Sequence, residues 1–445
     1  MPFDFDSVDT GATAWVLASG ALVLLMTPGL AFFYSGMVRA KHALAMLMQN
    51  YVTIGIVSLV WVVAGFSLAF GKGNGFVGDL HFAGLQNIGD TIPGYVGNLA
   101  QVIPPMVFVI FQLMFAVITP ALITGSTADR WKFGAFVPFI ALWSILVYSP
   151  VAHWVFSPEG WLFQKGALDF AGGTVVHINA GVAGLALAIF LGRRRGWPSQ
   201  PMRPHNVPFV LLGAGLLWFG WFGFNAGSAL GANQLAGYAF VNTNTATAAA
   251  LLAWIGVEKL RDGKATTLGA ASGAVAGLVA ITPCAGFVSP LGSIAVGAIA
   301  GGGCALAVAL KGMVRIDDSL DVVAVHLIGG ILGSLCVGLF ATVDTNPAGA
   351  DGLFYGGGWS LLGKQALAVV SVIAYTFVMT MIIAFVINLV IKMRVPAEVE
   401  DEGLDYALHG ETAYEFSTLG GSPSIGAQPM SGSERAPAHR EGVTT

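Results

Sequence analysis

The sequence predicts an all-α polytopic membrane protein with eleven transmembrane helices. Hydrophobic residues make up 55% of its 445 residues and charged residues only 10%, whereas about 25% of the residues in an ordinary soluble domain are charged. The mean hydropathy is +0.75. The 60 glycines lie mostly within apolar stretches, where small residues allow helices to approach one another closely in lipid. We therefore expect a bundle of closely packed helices in a bilayer.

Eleven stretches of about 20 apolar residues are each long enough to cross a bilayer. Numbered in chain order as spans 1 to 11, they are 12–36, 43–69, 99–124, 134–153, 172–191, 207–229, 241–256, 267–289, 292–311, 322–341 and 363–391. The residues before span 1, MPFDFDSVDT, contain no Lys or Arg. A cleavable signal peptide begins with a basic region, so we expect span 1 to be retained.

The basic residues are distributed unevenly between the two sides of the predicted bundle. Of the 20 Lys and Arg residues, Lys72, Lys165 and Lys364 follow even-numbered spans, Arg435 and Arg440 lie near the C-terminus, and all others follow odd-numbered spans. Cytoplasmic loops of membrane proteins are enriched in Lys and Arg. We therefore predict that the chain lies in the inner (plasma) membrane, with its N-terminus outside and its C-terminal tail in the cytoplasm.

Spans 5 and 10 carry the same pattern. His177 follows Asp169 by eight residues, and His326 follows Asp318 by eight residues. Small residues follow each histidine at +3, +4 and +7, on its own helix face: Ala180, Gly181 and Gly184, and then Gly329, Gly330 and Gly333. Because spans 5 and 10 cross in opposite directions, the pattern predicts two inverted five-helix repeats, about 12–191 and 207–341, followed by span 11 at 363–391.

The spacing also predicts where the two histidines and the two aspartates lie. Eight residues at a rise of about 1.5 Å carry each histidine about 12 Å into a core roughly 30 Å thick, so both approach the midplane. An ionisable group at that depth is costly and is usually functional. A hydrogen bond between helices is the simpler interpretation of one such histidine, but the duplicated spacing favours a shared site. Asp169 and Asp318 stand at helix starts, where a carboxylate accepts backbone N–H bonds; attraction of a cation is the alternative role.

Aromatic residues indicate the approach to this site. Phe111 and Phe115 are four residues apart on span 3 and share one helix face, so we expect them to stack and to plug a narrow passage. Trp221, Phe224 and Ser228 share one face of span 6, with Ser228 at its outer end. Ring faces attract positive charge and a hydroxyl oxygen accepts a proton, a combination that suits a small cation with N–H groups. Ordinary helix packing is the alternative for each aromatic residue.

Seven segments of the chain resemble the signature sequences of the Amt/Mep/Rh ammonium transporter family, in its bacterial and plant Amt type. They are TPGLAFFYSGMVR (27–39), FQLMFAVITPALI (111–123), GALDFAGGTVVHINAG (166–181), GWFGFNAGSA (220–229), AFVNTNTATAAA (239–250), DDSLDVVAVHLIGG (317–330) and EGLDYALHGETAY (402–414). The resemblance extends from about residue 12 to residue 416. It implies ammonium or ammonia as the substrate, methylammonium as an analogue, and a homotrimer in which each subunit has its own pore.

The resemblance also implies roles for individual residues. Phe111 and Phe115 match the stacked pair over the pore entrance, and His177 and His326 match the twin-histidine pore motif. Trp221 and Phe224 match the aromatic residues of span 6. Ser228 matches the hydroxyl of the external recruitment site, and Asp169 matches the aspartate near that site. The chain departs from the family at Phe156, where many members have a recruitment-site tryptophan on the outer side of span 4. Either Phe156 serves there with a weaker cation–π attraction, or Trp154 or Trp161 replaces it.

These residues predict a transporter that separates recruitment from conduction. A bare ammonium ion cannot cross a dry apolar pore, because burying an isolated charge there costs on the order of tens of kcal/mol. We expect ammonium to gather at the mouth, where Ser228 and the aromatic residues Trp221, Phe224 and Phe156 bind it. It then loses a proton near Phe111 and Phe115 and passes as ammonia along His177 and His326. Both relay of the proton by the histidines and its release remain open. An ammonium sensor of the same fold with little flux and a bis-histidine haem cytochrome are the alternatives.

Other functional classes find no support in the sequence. A net charge of −4 gives no indication of a nucleic-acid partner. Cys284, Cys304 and Cys336 stand at no metal-ligand spacing, so we interpret them as small buried hydrophobic residues and expect no metal or other cofactor. The chain has no Walker lysine motif, no HExxH motif and no nucleophile elbow, so we do not expect an enzyme.

The C-terminal tail divides into two parts. Residues 396–416 are acidic and resemble the cytoplasmic segment through which Amt proteins couple their subunits and meet the trimeric PII signalling protein. A merely solvated acidic tail is the alternative. Residues 417–445 are rich in Gly, Ser and Pro and are predicted to be disordered. The predicted domains are therefore a membrane domain at 1–395, a regulatory segment at 396–416 and a flexible extension at 417–445.

Overall fold

The computed structural model describes residues 2–95 and 102–414. Within these residues the chain is all-α, with isolated bridges in place of β-strands. The main helices, α1 to α11, are Thr10–Met37, Ala40–Phe70, Pro105–Thr127, Phe133–Gln164, Gly173–Leu191, Val207–Gly227, Gln234–Asp262, Thr267–Ile281, Pro290–Val314, Val323–Phe340 and Ser360–Val390. Two short helices follow them, α12 (Ala397–Glu402) and α13 (Leu404–His409).

The predicted fold of eleven membrane helices is confirmed. Ten of the helices in the described residues are long and apolar enough to cross a membrane, and α8, with 15 residues, is shorter. The prediction for span 8 ran to residue 289, but α8 ends at Ile281, because Pro283 has no N–H group to continue the helix. Helix α7 is longer than the predicted 241–256, since the Asn233 side chain caps it by accepting the Ala236 N–H at 3.0 Å. Helix α3 begins at Pro105, and part of the predicted start of span 3, at 99–101, lies outside the described residues.

Helices α1 and α6 pack backbone to backbone along glycines. A Cβ atom on Gly29 would lie 2.9 Å from the Cβ atom of Leu216, and one on Gly36 would lie 2.7 Å from the carbonyl oxygen of Asn206. Only a residue without a side chain permits this approach. The contact joins the first helices of the two predicted repeats and fixes the position of α6, which carries two of the predicted site residues.

Helices α5 and α10 begin with the same irregularity. Their first residues, Gly173–Ile178 and Val323–Ile328, form π-helical turns, and each turn contains the histidine of its span. Turns of this kind are rare in proteins, and those that occur are often found at functional sites. Their occurrence at matching places in the two helices agrees with the predicted repeat.

Asp169 and Asp318 hold the starts of these two helices. The Asp169 carboxylate accepts the backbone N–H groups of residues 172–174 at 2.7 to 2.8 Å. Asp318 accepts the Val323 N–H and the Ser126 hydroxyl, both at 2.7 Å. Carboxylates in this position satisfy N–H groups that have no partner within the helix. The contacts support the capping interpretation of both aspartates.

The segment 396–414 folds against one end of the helix bundle. The Asp405 carboxylate, 2% exposed, accepts the backbone N–H groups of residues 44 and 45 at 3.0 and 2.8 Å, at the start of α2. Burial raises the pKa of Asp405. Glu400 is also buried and pairs with Arg394 at 2.8 Å. The first part of the tail is therefore docked on the membrane domain, and the predicted extension at 417–445 lies outside the described residues.

A buried ion pair lies at the same end of the bundle. Arg194 contacts the Asp317 carboxylate through two nitrogens, at 2.8 and 3.0 Å. Burial alone would raise the pKa of Asp317, but the Arg194 guanidinium outweighs burial and lowers it. Asp129 is held in the same way, because nearby cationic groups, with Arg39 at 3.0 Å, lower its pKa against the effect of burial. These pairs join loops between successive helices where the tail docks.

Candidate functional site

The two histidines face each other in the centre of the bundle. His177 and His326 approach through their Nδ1 atoms, which are 3.4 Å apart, and their ring centroids are separated by 5.4 Å. Their residues are 1% and 3% exposed. The two π-helical turns, which belong to helices far apart in the sequence, thus bring together the residues for which the sequence predicted a common depth.

The histidine pair lines a narrow apolar space, here called the histidine cavity, with room for about one molecule of the size of water. Trp221 packs face to face on His177, with ring centroids 5.3 Å apart. Apart from these three rings, the lining side chains are Met26, Leu30, Ile118, Leu122, Val176, Leu217, Phe224 and Val275. Such walls cannot replace the hydration shell of an ion, so the cavity suits a small neutral molecule.

Thr282, just beyond the end of α8, organises the hydrogen bonds around His177. Its hydroxyl donates to the Leu278 carbonyl at 2.8 Å and accepts the indole N–H of Trp221 at 2.9 Å. The same oxygen lies 3.3 Å from Nε2 of His177. A hydroxyl has one proton and two lone pairs, so after donating to Leu278 it can only accept from His177. We therefore assign the ring proton of His177 to Nε2.

This assignment fixes the second ring as well. With Nε2 protonated, Nδ1 of neutral His177 carries a lone pair, and this atom lies 3.4 Å from Nδ1 of His326. His326 then carries its proton on Nδ1 and keeps a lone pair on Nε2. Both nitrogens of His177 are engaged, and the pair offers a single acceptor, on His326. No sequence pattern indicated a role for Thr282, because a threonine in an apolar stretch commonly bonds the preceding helical turn, as Thr282 does to Leu278.

A second cavity, of about 140 Å³, contains Ser228 and is called the Ser228 cavity. Its lining residues are Tyr95, Gln112, Phe115, Val155, Phe156, Phe163, Asp169, Phe170, Ser228 and Leu230. The Ser228 hydroxyl donates to the Phe224 carbonyl at 2.8 Å, which leaves its lone pairs free to accept. The structure thus brings together four residues that the sequence singled out: Ser228, Phe156, Phe115 and Asp169.

Two stacked rings, Phe115 and Phe224, separate the two cavities and are called the aromatic barrier. Their centroids are 4.3 Å apart and their planes differ by 29°. Phe115 lines the Ser228 cavity, and Phe224 lines the histidine cavity. The predicted stacking of Phe111 on Phe115 is wrong, because these rings meet edge to face, at 5.0 Å and 68°. Their shared helix face brought the rings of Phe111 and Phe115 together, but the ring that stacks on Phe115 is Phe224, which belongs to α6.

Trp221 lies deeper than the sequence predicted. We expected it at the mouth with Ser228, yet it packs on His177 and lines the histidine cavity. The offset of seven residues from Trp221 to Ser228 corresponds to about 10 Å along a helix, so the two share a face but not a level. Of the three candidates for the missing tryptophan, Phe156 lines the Ser228 cavity, whereas Trp154 and Trp161 are not among its lining residues. The indole N–H of Trp154 instead donates to the Phe76 carbonyl at 2.7 Å.

The geometry of the histidine pair does not fit the haem alternative. A haem held by two histidines lies between their coordinating nitrogens, and here the facing nitrogens are 3.4 Å apart in a space for about one water. In the described residues, no group of three or more His, Cys, Asp or Glu side chains is placed to hold a metal ion. The three cysteines are buried and free.

Comparison with known sequences identifies relatives along nearly the whole chain. The profile of the Ammonium Transporter Family matches residues 14–414. A protein of Mycobacterium tuberculosis (strain ATCC 25618 / H37Rv) named "Ammonium transporter" is 53% identical over 444 residues, covering 93% of this chain and 92% of the relative. One of the same name from Bacillus subtilis (strain 168) is 50% identical over 408 residues, covering 92% and 99%.

Solved structures give the same picture. Mep2 of Candida albicans superimposes with a TM-score of 0.82 at 34% identity, covering 88% of each chain. A structure described as "Sensor Amt Protein" superimposes with a TM-score of 0.80 at 31% identity, covering 90% of this chain and 98% of that one. The similarity therefore extends over most of the helix bundle.

Proposed function

Because the chain belongs to the ammonium transporter family, we propose that it recruits ammonium in the Ser228 cavity, removes a proton at the aromatic barrier and conducts ammonia past the histidine pair. It is a multi-pass membrane protein of that family. The relatives are named as transporters, which supports a non-enzymatic role.

The single observation that carries this proposal is the pair of facing imidazoles within an apolar space. Transferring a bare ammonium ion into such a space costs on the order of tens of kcal/mol. Ammonia enters at far lower cost, and its N–H group finds an acceptor in Nε2 of His326. The pair therefore helps ammonia to cross without stabilising an ion there.

The Ser228 cavity supports the recruitment step. A cation gains from the Ser228 oxygen and from the faces of Phe115 and Phe156. Because the apolar side chains that line the histidine cavity cannot replace the hydration shell of an ion, the proton must leave before the substrate passes the aromatic barrier. The proton either returns to the Ser228 side or travels along the histidines.

Transport in proteoliposomes tests the proposal. The double variant His177→Ala, His326→Ala is expected to abolish ammonium-driven uptake while the protein still assembles in the membrane. His81→Ala, which alters an exposed histidine outside the two cavities, is the control. Methylammonium uptake by the double variant at the unmodified rate would reject the pore assignment. A current that accompanies uptake in the unmodified protein would indicate proton relay, and electroneutral uptake would indicate release.

A sensor that binds ammonium with little flux is the second candidate, and it is favoured only by the structural similarity to the Sensor Amt Protein. The same proteoliposomes separate the two functions. Saturable ammonium binding without uptake would support the sensor, whereas uptake that depends on both histidines supports the transporter.

We also propose the arrangement of the chain in its membrane and its partners. The distribution of Lys and Arg supports an inner-membrane protein with an external N-terminus and a cytoplasmic tail. Family similarity supports a homotrimer of pores, a membrane domain at 1–395 that contains two inverted repeats, and a regulatory segment at 396–416 that meets a PII protein. Mass measurement in detergent tests the trimer, and labelling of the N-terminus from outside intact cells tests the orientation.

A further inference from the structure

Gln112 has a buried side-chain oxygen that nothing in the described residues satisfies. It lies on α3 between Phe111 and Phe115, is 8% exposed and lines the Ser228 cavity. Its Oε1 atom has no hydrogen-bond partner. Folded proteins satisfy the large majority of their buried polar atoms, so an exception in the wall of a cavity calls for an explanation.

The other polar side chains of this cavity are already engaged. The Asp169 carboxylate accepts the backbone N–H groups that start α5, and the Tyr95 hydroxyl donates to the Phe156 carbonyl at 3.4 Å. The Ser228 hydroxyl has given its proton to Phe224 and retains its lone pairs. The Tyr95 hydroxyl likewise keeps its lone pairs, so Ser228, Tyr95 and Gln112 are the neutral acceptors with capacity for a ligand. Of these three, Gln112 is the one whose oxygen takes part in no hydrogen bond in the described residues, and it reaches the cavity from a different helix than Ser228.

We propose that Gln112 is a specificity-determining residue of the Ser228 cavity, whose amide oxygen accepts one N–H of the bound ion while Ser228 accepts another. The inference rests on the proposed recruitment of ammonium and adds a residue and a selection rule to it. An ion with two or more N–H groups satisfies both acceptors. An ion with one N–H group satisfies only one of them.

The chemistry of the amide suits a transient site. A half-turn of the terminal amide exchanges its oxygen and nitrogen, so a cation selects the orientation in which the oxygen faces it. The oxygen attracts positive charge without carrying a full negative charge of its own, so the ion is held less tightly than it would be by a free carboxylate. Gln112 also lies one turn from Phe115 along α3, next to the aromatic barrier.

A series of methylated ammonium ions tests the selection rule. Gln112→Leu removes the acceptor at similar volume and is expected to raise the half-saturation concentration for ammonium uptake about tenfold, the size of one hydrogen bond to a charged group. Methylammonium, with three N–H groups, should follow ammonium. Trimethylammonium, with one N–H group, is measured as a competitor of ammonium uptake, and its inhibition constant should change less than about threefold.

Gln49→Leu is the matched control. Gln49 on α2 is 4% exposed and also has an unpartnered Oε1 atom, but it does not line the Ser228 cavity. Its variant should leave the whole series unchanged. An equal shift for ammonium and trimethylammonium in Gln112→Leu, or the same shift in Gln49→Leu, would show a structural effect and overturn the proposal.

A second variant keeps the test decisive if Gln112→Leu does not assemble. Gln112→Glu retains an acceptor oxygen at the same place and is expected to lower the half-saturation concentration for ammonium more than the inhibition constant of trimethylammonium. Weaker ammonium binding in Gln112→Glu would overturn the proposal. Unmodified protein that takes up no ammonium would reject the proposed function itself, whereas normal uptake with an unaltered Gln112→Leu variant would reject only the role of Gln112.

Discussion

Replacing Thr282 with valine removes a hydroxyl while nearly preserving the volume of the side chain. Two buried N–H groups then lose their acceptor, the indole N–H of Trp221 and Nε2–H of His177. A buried donor without a partner costs about 1–3 kcal/mol. The histidine can escape this cost by moving its proton to Nδ1, but the indole cannot. We therefore expect Thr282→Val to lose about 1–3 kcal/mol of stability.

The effect on transport follows from the tautomers. In the unmodified protein the bond to Thr282 favours the proton on Nε2 of His177 by about the value of one neutral hydrogen bond, about 0.5–1.5 kcal/mol. Without it, the ratio of the starting tautomer to the other tautomer falls by a factor of about two to ten. The maximal rate of ammonium uptake should fall by up to that factor. The half-saturation concentration should stay the same, because the Ser228 cavity is untouched.

Two measurements check this reasoning. Nitrogen-15 NMR of labelled histidine reports which ring nitrogen carries the proton, and uptake in proteoliposomes reports the rate. Thr282→Ser keeps the hydroxyl and should behave as the unmodified protein. Thr247→Val is the matched control, since the Thr247 hydroxyl is also buried and bonds its own helix at 2.6 Å but lines neither cavity. An unaltered tautomer and rate in Thr282→Val would refute the assignment.

Two further predictions concern the ends of the pathway. Ser228→Ala should raise the half-saturation concentration more than it lowers the maximal rate, because the hydroxyl acts before the pore step. The lost binding free energy should be up to about 1.5–3 kcal/mol, and less in an open cavity. An unchanged half-saturation concentration would remove Ser228 from recruitment. Truncation at about Ser417 should leave uptake and PII binding intact. Truncation before Pro396 should impair uptake and abolish PII binding, because it removes Asp405 from the start of α2. Uptake assays and PII pull-down at varied ATP, ADP and 2-oxoglutarate check both truncations, and full activity of the shorter chain would contradict the regulatory role.

The sequence predicted the fold well because its strongest signals are long-range averages. Stretches of about 20 apolar residues have few structures open to them besides membrane helices, and matching aspartate-to-histidine spacings in opposite directions require similar depths. The common depth of His177 and His326 follows from those two facts, whereas their contact also requires the two helices to lie side by side. Helix ends were harder to predict, since the end of α8 depends on the position of Pro283 within a run that stays apolar beyond it.

The details of the site depended on contacts between helices, which periodicity does not report. Helical spacing placed Phe111 beside Phe115, but the plane of the Phe115 ring is set by Phe224 on another helix. The same spacing gave Trp221 the correct face and the wrong level. Thr282 and Gln112 were missed because a single polar residue in an apolar helix carries no pattern, and only the surrounding lone pairs and donors show what it does.

The glycine contact between α1 and α6 bears on the speed of transport. Backbones packed this closely at Gly29 and Gly36 oppose rocking of the two predicted repeats against each other along this line. A carrier that alternates between outward and inward states needs such collective motion, which takes microseconds to milliseconds. For the proposed pathway we therefore expect the two rings of the aromatic barrier to be the moving parts, turning without displacement of a helix. Turnover would then be set by ring rotation and proton transfer, with the bundle as a fixed frame.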